Sequence, residues 1–130
     1  MDKKYNYKNL AAYKESKALV IAVYELLKKF PKEEQYALCD QLRRAAISVP
    51  SNLAEGSGRT SAKDQAHFIE MAFGSLMEVD CQIEIARDLG YVTGEDVEHI
   101  EQLVAANAAL LSGIRRKRLG DTLSANTLTH

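Results

Sequence analysis

Two prolines and seven glycines are all that punctuate the chain, and most of them stand where hydrophobic periodicity breaks. They divide it into four long pieces joined by short connections. Leu10, Tyr13, Val20, Ile21, Tyr24 and Leu27 recur at three- and four-residue spacing, which predicts a first helix capped by Asn9 and stopped by Phe30-Pro31. A second helix opens at Lys32 with Glu33 and Glu34 in its first turn and carries Leu38, Leu42, Ala45, Val49 and Leu53. Pro50 falls inside that stripe, where its missing N–H predicts a kink; Leu53 and Ala54 keep the period, so the helix should continue to Gly56–Gly58.

The third helix starts at a Ser61 cap with Asp64 three residues on and ends before Gly90, and the fourth starts at Thr93 with Asp96 in the matching place. Short connections make sequential helices antiparallel. The expected fold is therefore all-α, an antiparallel up-down-up-down four-helix bundle over residues 1–120, with helices at about 9–29, 32–56, 61–89 and 93–119. Residues 121–130 show no periodicity and read as a disordered tail.

Composition excludes several classes of function. With 130 residues, 46% of them apolar, there is one core and room for one domain. The net charge of -1 gives no global attraction to nucleic acid or an anionic membrane. The longest apolar run, Ala18 to Tyr24, is far short of the ~20 residues that cross a bilayer. No signal peptide is legible, and Cys39 and Cys81 stand alone, so a soluble cytoplasmic protein without disulfides is expected.

The third helix has too many apolar faces for a bundle of this size. Ile69, Ala72, Leu76, Val79, Ile83 and Ala86 make one; Phe73, Met77 and Cys81 lie on a second flank, and Met71, Ile85 and Leu89 on a third. A helix apolar around so much of its circumference is buried on more than one side. Self-association through flanks of helices two and three is the expectation, with Ile47, Phe73 and Met77 at the interface.

Helix two carries a second, polar stripe, Gln41, Arg44, Ser48, Asn52 and Glu55. Such a row can bind a partner, or it can be a network satisfied by carboxylates of helix three, with Glu70 and Glu78 the candidates for Arg44. The structural reading is the favoured one.

The run containing this stripe, Gln-Leu-Arg-Arg-Ala-Ala-Ile-Ser-Val-Pro-Ser-Asn-Leu-Ala-Glu-Gly from Gln41 to Gly56, closely resembles the signature of a bacterial four-helix-bundle family that includes the intervening-sequence proteins of ribosomal RNA genes. Phe30-Pro31, Glu34, Tyr36, Arg59, Phe68, Ala72, Gly74-Ser75 and Glu78 stand where that family has similar residues, and the resemblance spans about Leu10 to Ile114. The family also resembles the accessory variability determinant of diversity-generating retroelements, a pentameric barrel that binds a reverse transcriptase and nucleic acid. The resemblance implies a homo-pentameric helical barrel, and a reverse transcriptase or ribosomal RNA as partner. Two departures stand out: Tyr13 occupies a place where the family often has Trp, and the acidic balance is unlike a nucleic-acid-binding surface.

Charge is nevertheless segregated. Residues 1–60 hold 11 Lys and Arg against 7 Asp and Glu, a net +4, whereas residues 61–130 hold 6 against 11, a net -5. Lys3, Lys4, Lys8, Arg43, Arg44, Arg59 and Lys63 could form basic patches, and Arg43, Arg59 and Lys63 are the candidates for weak contact with phosphates. Arg115-Arg116-Lys117-Arg118 reads as the cationic last turn of helix four, favoured by the helix dipole alone.

No reaction is legible. The pairs Asp64/His67 and Asp96/His99 open consecutive antiparallel helices and so belong to opposite ends of the bundle, too far apart to share a metal. Neither cysteine has a histidine near it in sequence, and Glu55-Gly56-Ser57-Gly58-Arg59 lacks the lysine of a phosphate loop. The sequence points to a non-enzymatic oligomeric scaffold or adaptor without cofactor or metal. The alternative is a weak, sequence-independent nucleic-acid-binding protein.

Overall fold

The computed structural model describes residues 6–128, with side chains described through Gly120. Its four long helices are α1 (Ala11–Leu27), α2 (Leu38–Ser57), α3 (Ala62–Asp88) and α4 (Gly94–Leu128), with 3-10 turns at Asn6–Asn9 and Lys32–Glu34. Each helix packs on its sequence neighbours and α4 closes against α1, leaving α1 and α3 on one diagonal and α2 and α4 on the other. Neighbours run antiparallel. Gln41 meets Gln82 at one end of the α2/α3 pair, and Gly56 meets Phe68 at the other. Across α1/α4, Asn107 reaches Glu15 while Lys29 reaches Asp96.

The core is one contiguous cluster in which Leu19, Leu42, Leu76, Ile83, Ile100 and Leu111 are fully buried. Burial of a side chain of this size stabilises the fold by about 1.5–3 kcal/mol. On α1 the buried stripe is Ala12, Ser16, Leu19, Val23, Leu26 and Leu27. Ile21, counted above in the apolar spacing of helix one, is 66% exposed, because a position two residues from Leu19 and from Val23 faces away from both.

The helix ends follow the chemistry of their residues at most places. Ser61 Oγ accepts the Asp64 amide at 3.0 Å, the expected cap of α3. Thr93 and Asp96 form a reciprocal box: the Asp96 amide donates to Thr93 Oγ1 at 3.1 Å and the Thr93 amide to Asp96 Oδ2 at 3.0 Å. At the end of α3, Gly90 takes φ +81°, its amide donating to Arg87 O and that of Tyr91 to Ala86 O. These two bonds and the left-handed glycine make a Schellman stop.

Four expectations are corrected. Asn9 does not cap α1; it ends the Asn6–Asn9 turn, and Leu10 holds the cap position without a side-chain bond. The second helix starts at Leu38 and not at Lys32, because Lys32–Glu34 is a separate 3-10 turn in which Glu34 accepts a 2.7 Å bond from the Tyr91 hydroxyl. Pro50 does not divide α2, as expected. Helix α4 continues to Leu128 instead of ending at Leu119, since Gly120 has no positive φ to stop it. The disordered tail expected over 121–130 is thus helical backbone as far as Leu128, while residues 129–130, and Lys3 and Lys4 at the other end, lie outside the described residues. Finally, Arg115–Arg118 are interior to α4, so the dipole of a last turn does not account for them.

Asp96 makes acid sensitivity a local property of the α1/α4 closure. The Lys29 ammonium, at 2.8 Å, and then the Thr93 amide hold its carboxyl below the usual carboxylate range. A carboxyl whose folded pKa is depressed stabilises the fold above its unfolded pKa, about 4, and loses that contribution as pH falls through the folded value. Asp96→Asn should therefore be less stable than the parent at pH 7, and the gap should close in acid. Urea midpoints for both proteins between neutral pH and pH 3 measure this.

Candidate interaction surfaces

The polar stripe of α2 lies on the outer seam with α3, and its members bond largely within their own helix. The Ser48 hydroxyl donates to Arg44 O and the Asn52 amide to Ser48 O, both at 2.8 Å. Glu55 pairs with Arg59 one turn on, at 3.7 Å. Gln41 alone crosses the seam, accepting a 3.2 Å bond from Gln82, whose amide also lies 3.5 Å from Glu78.

The expected Arg44 pairing with Glu70 or Glu78 is not made. The Arg44 side chain is 81% exposed and its guanidinium lies 3.6 Å from Asp40 on the same helix. Glu70 pairs instead with Arg115 of α4, at 2.6 Å. The register excludes Glu70 alone: with Gln41 opposite Gln82, Arg44 stands level with Val79 and Glu70 lies about 14 Å too far toward the hairpin, whereas Glu78 is at the right level and is missed because Arg44 turns outward to solvent. A solvent-facing arginine with a loose same-helix partner contributes little to stability. Arg44→Ala should cost under about 1 kcal/mol, read as an unchanged thermal melting profile. The stripe is therefore free to act outward, as a row of amide, hydroxyl, carboxylate and guanidinium groups at helical spacing.

The three candidate phosphate contacts are not one patch. Arg43 folds back, half-buried, toward Gln35 O and Asp40 at the start of α2. Arg59 and Lys63 stand at the α2/α3 hairpin, about 24 Å away at 1.5 Å per helical residue. Arg59 lies over the Phe68 ring, 4.6 Å from its centroid, and Lys63 is exposed. What the sequence did not bring together is the opposite wall of this end: Ile114 and Arg118 line one small cavity with Leu10, Gly56 and Gln65. The basic run of α4 and the hairpin cations thus share one end of the bundle. Helical spacing alone could not have found this, because it requires the antiparallel return of α4.

Of the expected interface residues, Ile47 and Met77 are exposed and Phe73 is half-buried against the core. They do not form one patch. Ile47 opens onto a groove between α1 and α2, lined also by Tyr13, Lys17, Val20, Ile21 and Pro50. Met71, Ile85 and Leu89, all substantially exposed, share one flank of α3, whereas Met77 stands on another, seven residues from Glu70 on the side toward α4. The two apolar faces sit on different corners of the bundle.

A larger groove of about 880 Å³ runs between α1 and α4, floored by Ala18, Ala22, Leu26, Ile100 and Leu103. Its rim carries Glu25, Lys29, Glu95, Asp96 and His99. Two of those charges are mutually engaged, in the Lys29–Asp96 bridge.

Three buried polar residues escaped the sequence reading: Ser16, Gln82 and Asn107. Ser16 donates to Tyr13 O, and the Asn107 amide donates to Leu103 O and Glu15 O, at 2.9 and 3.3 Å. Gln82 Oε1 and Asn107 Oδ1 are buried without a partner. Asn107 does fall on the Val97, Ile100, Val104 and Leu111 face at helical spacing, and that was the available signal.

Reactive groups do not converge among the described residues. No three His, Cys, Asp or Glu side chains there are placed to hold a metal. Cys39 is buried, and burial pushes its thiol up, away from the thiolate form a nucleophile needs. Cys81 is exposed on α3. No helix is long and apolar enough to cross a membrane among the described residues.

A family model described as 23S rRNA-intervening sequence protein matches residues 8–113. The fold is similar to the crystal structure, at 1.70 Å, of a protein with unknown function from the S23 ribosomal protein family of Bacteroides thetaiotaomicron VPI-5482. The TM-score is 0.74 at 20% identity, over 81% of this chain and 98% of that one. No curated protein matches the chain.

Proposed function

We propose, from the premise that the chain belongs to the 23S rRNA-intervening sequence protein family, that it acts as a non-enzymatic cytoplasmic scaffold built from several copies of itself, five being the favoured number. The observation that carries this reading is the pair of exposed apolar faces, one around Ile21 and Ile47 and one along α3. Contiguous exposed apolar patches mark interaction sites where single side chains do not, and here Ile21 stands with Ile47 at one groove and Met71 with Ile85 and Leu89 along one flank of α3. The open polar stripe of α2 then serves as the surface on which a protein partner is held. The number five follows from the family resemblance and not from the exposed area. Light scattering across micromolar concentrations should return a mass near five times 14.4 kDa. A mass of 14.4 kDa throughout would end the scaffold reading.

A second reading is favoured by the basic end of the bundle, where Arg59 and Lys63 of the hairpin stand with Arg116 and Lys117 of α4. Those cations suit the phosphates of RNA or DNA without reading bases. Binding would weaken steeply with salt as counterions are released. The joint change Arg59→Glu, Lys63→Glu should abolish retention of labelled RNA, whereas Arg43→Glu should leave it unchanged. Equal loss in both variants, or retention insensitive to salt, would dismiss this reading.

A further inference from the structure

We propose that the groove between α1 and α4 is a docking site for a cationic amphipathic helix of another protein. The surface lies apart from the α2 stripe and from the exposed flank of α3, and it meets the α1/α2 groove only at the Ile21 ridge. The inference does not depend on how many copies of the chain assemble.

The groove exists because α1 is short of side chain where α4 passes it. The Glu15–Asn107 and Lys29–Asp96 contacts fix the register of the two helices, and in that register Leu103 falls between the levels of Ala18 and Ala22. Two methyl groups thus face a leucine, where a pair of larger residues would fill the space between the helices. What is left is a trough of about 880 Å³, floored by Leu26, Ile100 and Leu103, with Ala18 and Ile21 exposed along its edge. From Ala18 to Lys29 it runs about 16 Å at 1.5 Å per residue, the length of about three helical turns. An apolar trough of this form takes a further helix through anchors at i, i+3 or i+4, and i+7.

Charge selects which helix. Between Gly94 and Ile114, α4 carries Glu95, Asp96, Glu98 and Glu101 and no lysine or arginine. Glu95 and Asp96 line the groove with His99 beside them, and Glu25 stands on the α1 wall. Lys29 is the one lysine or arginine of the lining, and both oxygens of Asp96 already hold it, at 2.8 and 3.0 Å. Glu25 has Lys28 at 3.1 Å, but those side chains are 66% and 73% exposed, so the pair holds little energy and gives way to another cation at little cost. Glu25 and Glu95 are therefore left for charge supplied from outside.

Both carboxylates sit in the half of the groove where α1 ends and α4 begins. The other half, at Ala18 and Leu103, is uncharged and leads toward Lys14. The docked helix accordingly carries lysines or arginines beside its anchor at one end and only aliphatic residues along the rest. An acidic helix would set like charges together across a contact that excludes water.

Two fluorescein-labelled helical peptides of leucine and alanine test this by fluorescence anisotropy with the full chain. They are alike except beside the leucine at one end, where one has lysines and the other glutamates. The lysine peptide should bind, more weakly as salt rises, and the glutamate peptide should not. Ala22→Trp fills the trough and should weaken the lysine peptide by about tenfold or more. Ala18→Trp, on the exposed edge, makes the same test if circular dichroism shows Ala22→Trp unfolded. Glu25→Lys with Glu95→Lys should reverse the preference to the glutamate peptide. Glu84→Lys with Asp88→Lys, the same change of net charge placed on α3, should leave the preference of the parent. Absence of binding by the parent, equal binding of the two peptides, or unaltered affinity in a folded tryptophan variant would overturn the proposal. So would a lower mass of that variant by light scattering, which would make the trough a contact between copies. A monomeric parent that still discriminates between the peptides would end the scaffold reading and leave this one standing.

Discussion

Asn107→Asp is expected to destabilise the protein by about 3–5 kcal/mol at neutral pH, the penalty of an unpaired charge placed in a core. The Asn107 side chain is fully buried, and what it faces are carbonyl oxygens, Glu15 O and Leu103 O. An amide nitrogen donates to them; a carboxylate oxygen in its place is repelled by them. Its folded pKa would rise, so the sign of the pH dependence is fixed. The loss should be small below the unfolded pKa of about 4, where the carboxyl is neutral in both states, and should grow as pH rises through the folded value. Asn107→Leu should behave oppositely, within about 1 kcal/mol of the parent and on the stable side. It removes the partnerless Oδ1, and both carbonyls keep their helical bonds. Urea unfolding of the two variants at pH 7 and pH 4 decides the matter, and equal midpoints at pH 7 would contradict the burial of this residue.

Gly56→Ala should cost about 1–3 kcal/mol, although alanine is otherwise the better helix former. A Cβ at Gly56 would stand 2.7 Å from the Phe68 Cβ, closer than packed carbons approach. Phe68 cannot answer by rotating its ring, because the contact is at the root of its side chain. The helices must part, and the hairpin is where they have least freedom to do so. Thermal unfolding of Gly56→Ala, Phe68→Gly and the double variant would show the two changes failing to add, with the double variant recovering part of the loss, because only glycine at 68 removes the Cβ that the new methyl meets. Strict additivity would mean that the contact is not what keeps alanine out.

This contact also shows how far the sequence could be read. Its last residue places Gly56 in a recognisable run, yet nothing before Phe68 says what lies against it. Several features that depend on neighbours along one helix were legible, since Ser61 and Thr93 cap, Gly90 stops α3 and Pro50 is carried through, although the cap at Asn9, the start at Lys32 and the stop at Gly120 were not. Caps and stops are decided within four or five residues. The Arg44 pairing failed because it needs both a register between two helices, which Glu70 does not meet, and the direction in which a flanking side chain turns, which for Arg44 is outward to Asp40 of its own helix and not across to Glu78. The expected interface residues do not share one face for a related reason: the periodicity of each helix puts Ile47 and Phe73 off its core stripe but does not say what that flank meets, which is the α1/α2 groove for Ile47 and the core for Phe73. Ile21 was lost to a subtler cause: Leu19 and Val23 on either side of it supply the buried stripe, and an uninterrupted apolar run hides which of its members points outward.

The closure of α1 against α4 has a consequence for how the molecule is made. Glu15 and Asn107 are 92 residues apart in sequence, and Lys29 and Asp96 are 67 apart. At a synthesis rate of roughly 5–20 residues per second, the first helix emerges about 5–20 s before the residue that completes its far wall. Until then α1 can pair with α2 alone, with Leu19 and Val23 partly uncovered. A nascent chain in this condition is a three-walled box, and on a polysome its neighbours are further copies in the same condition. The order of synthesis thus places unfinished apolar surfaces of identical chains beside one another before any finished monomer exists.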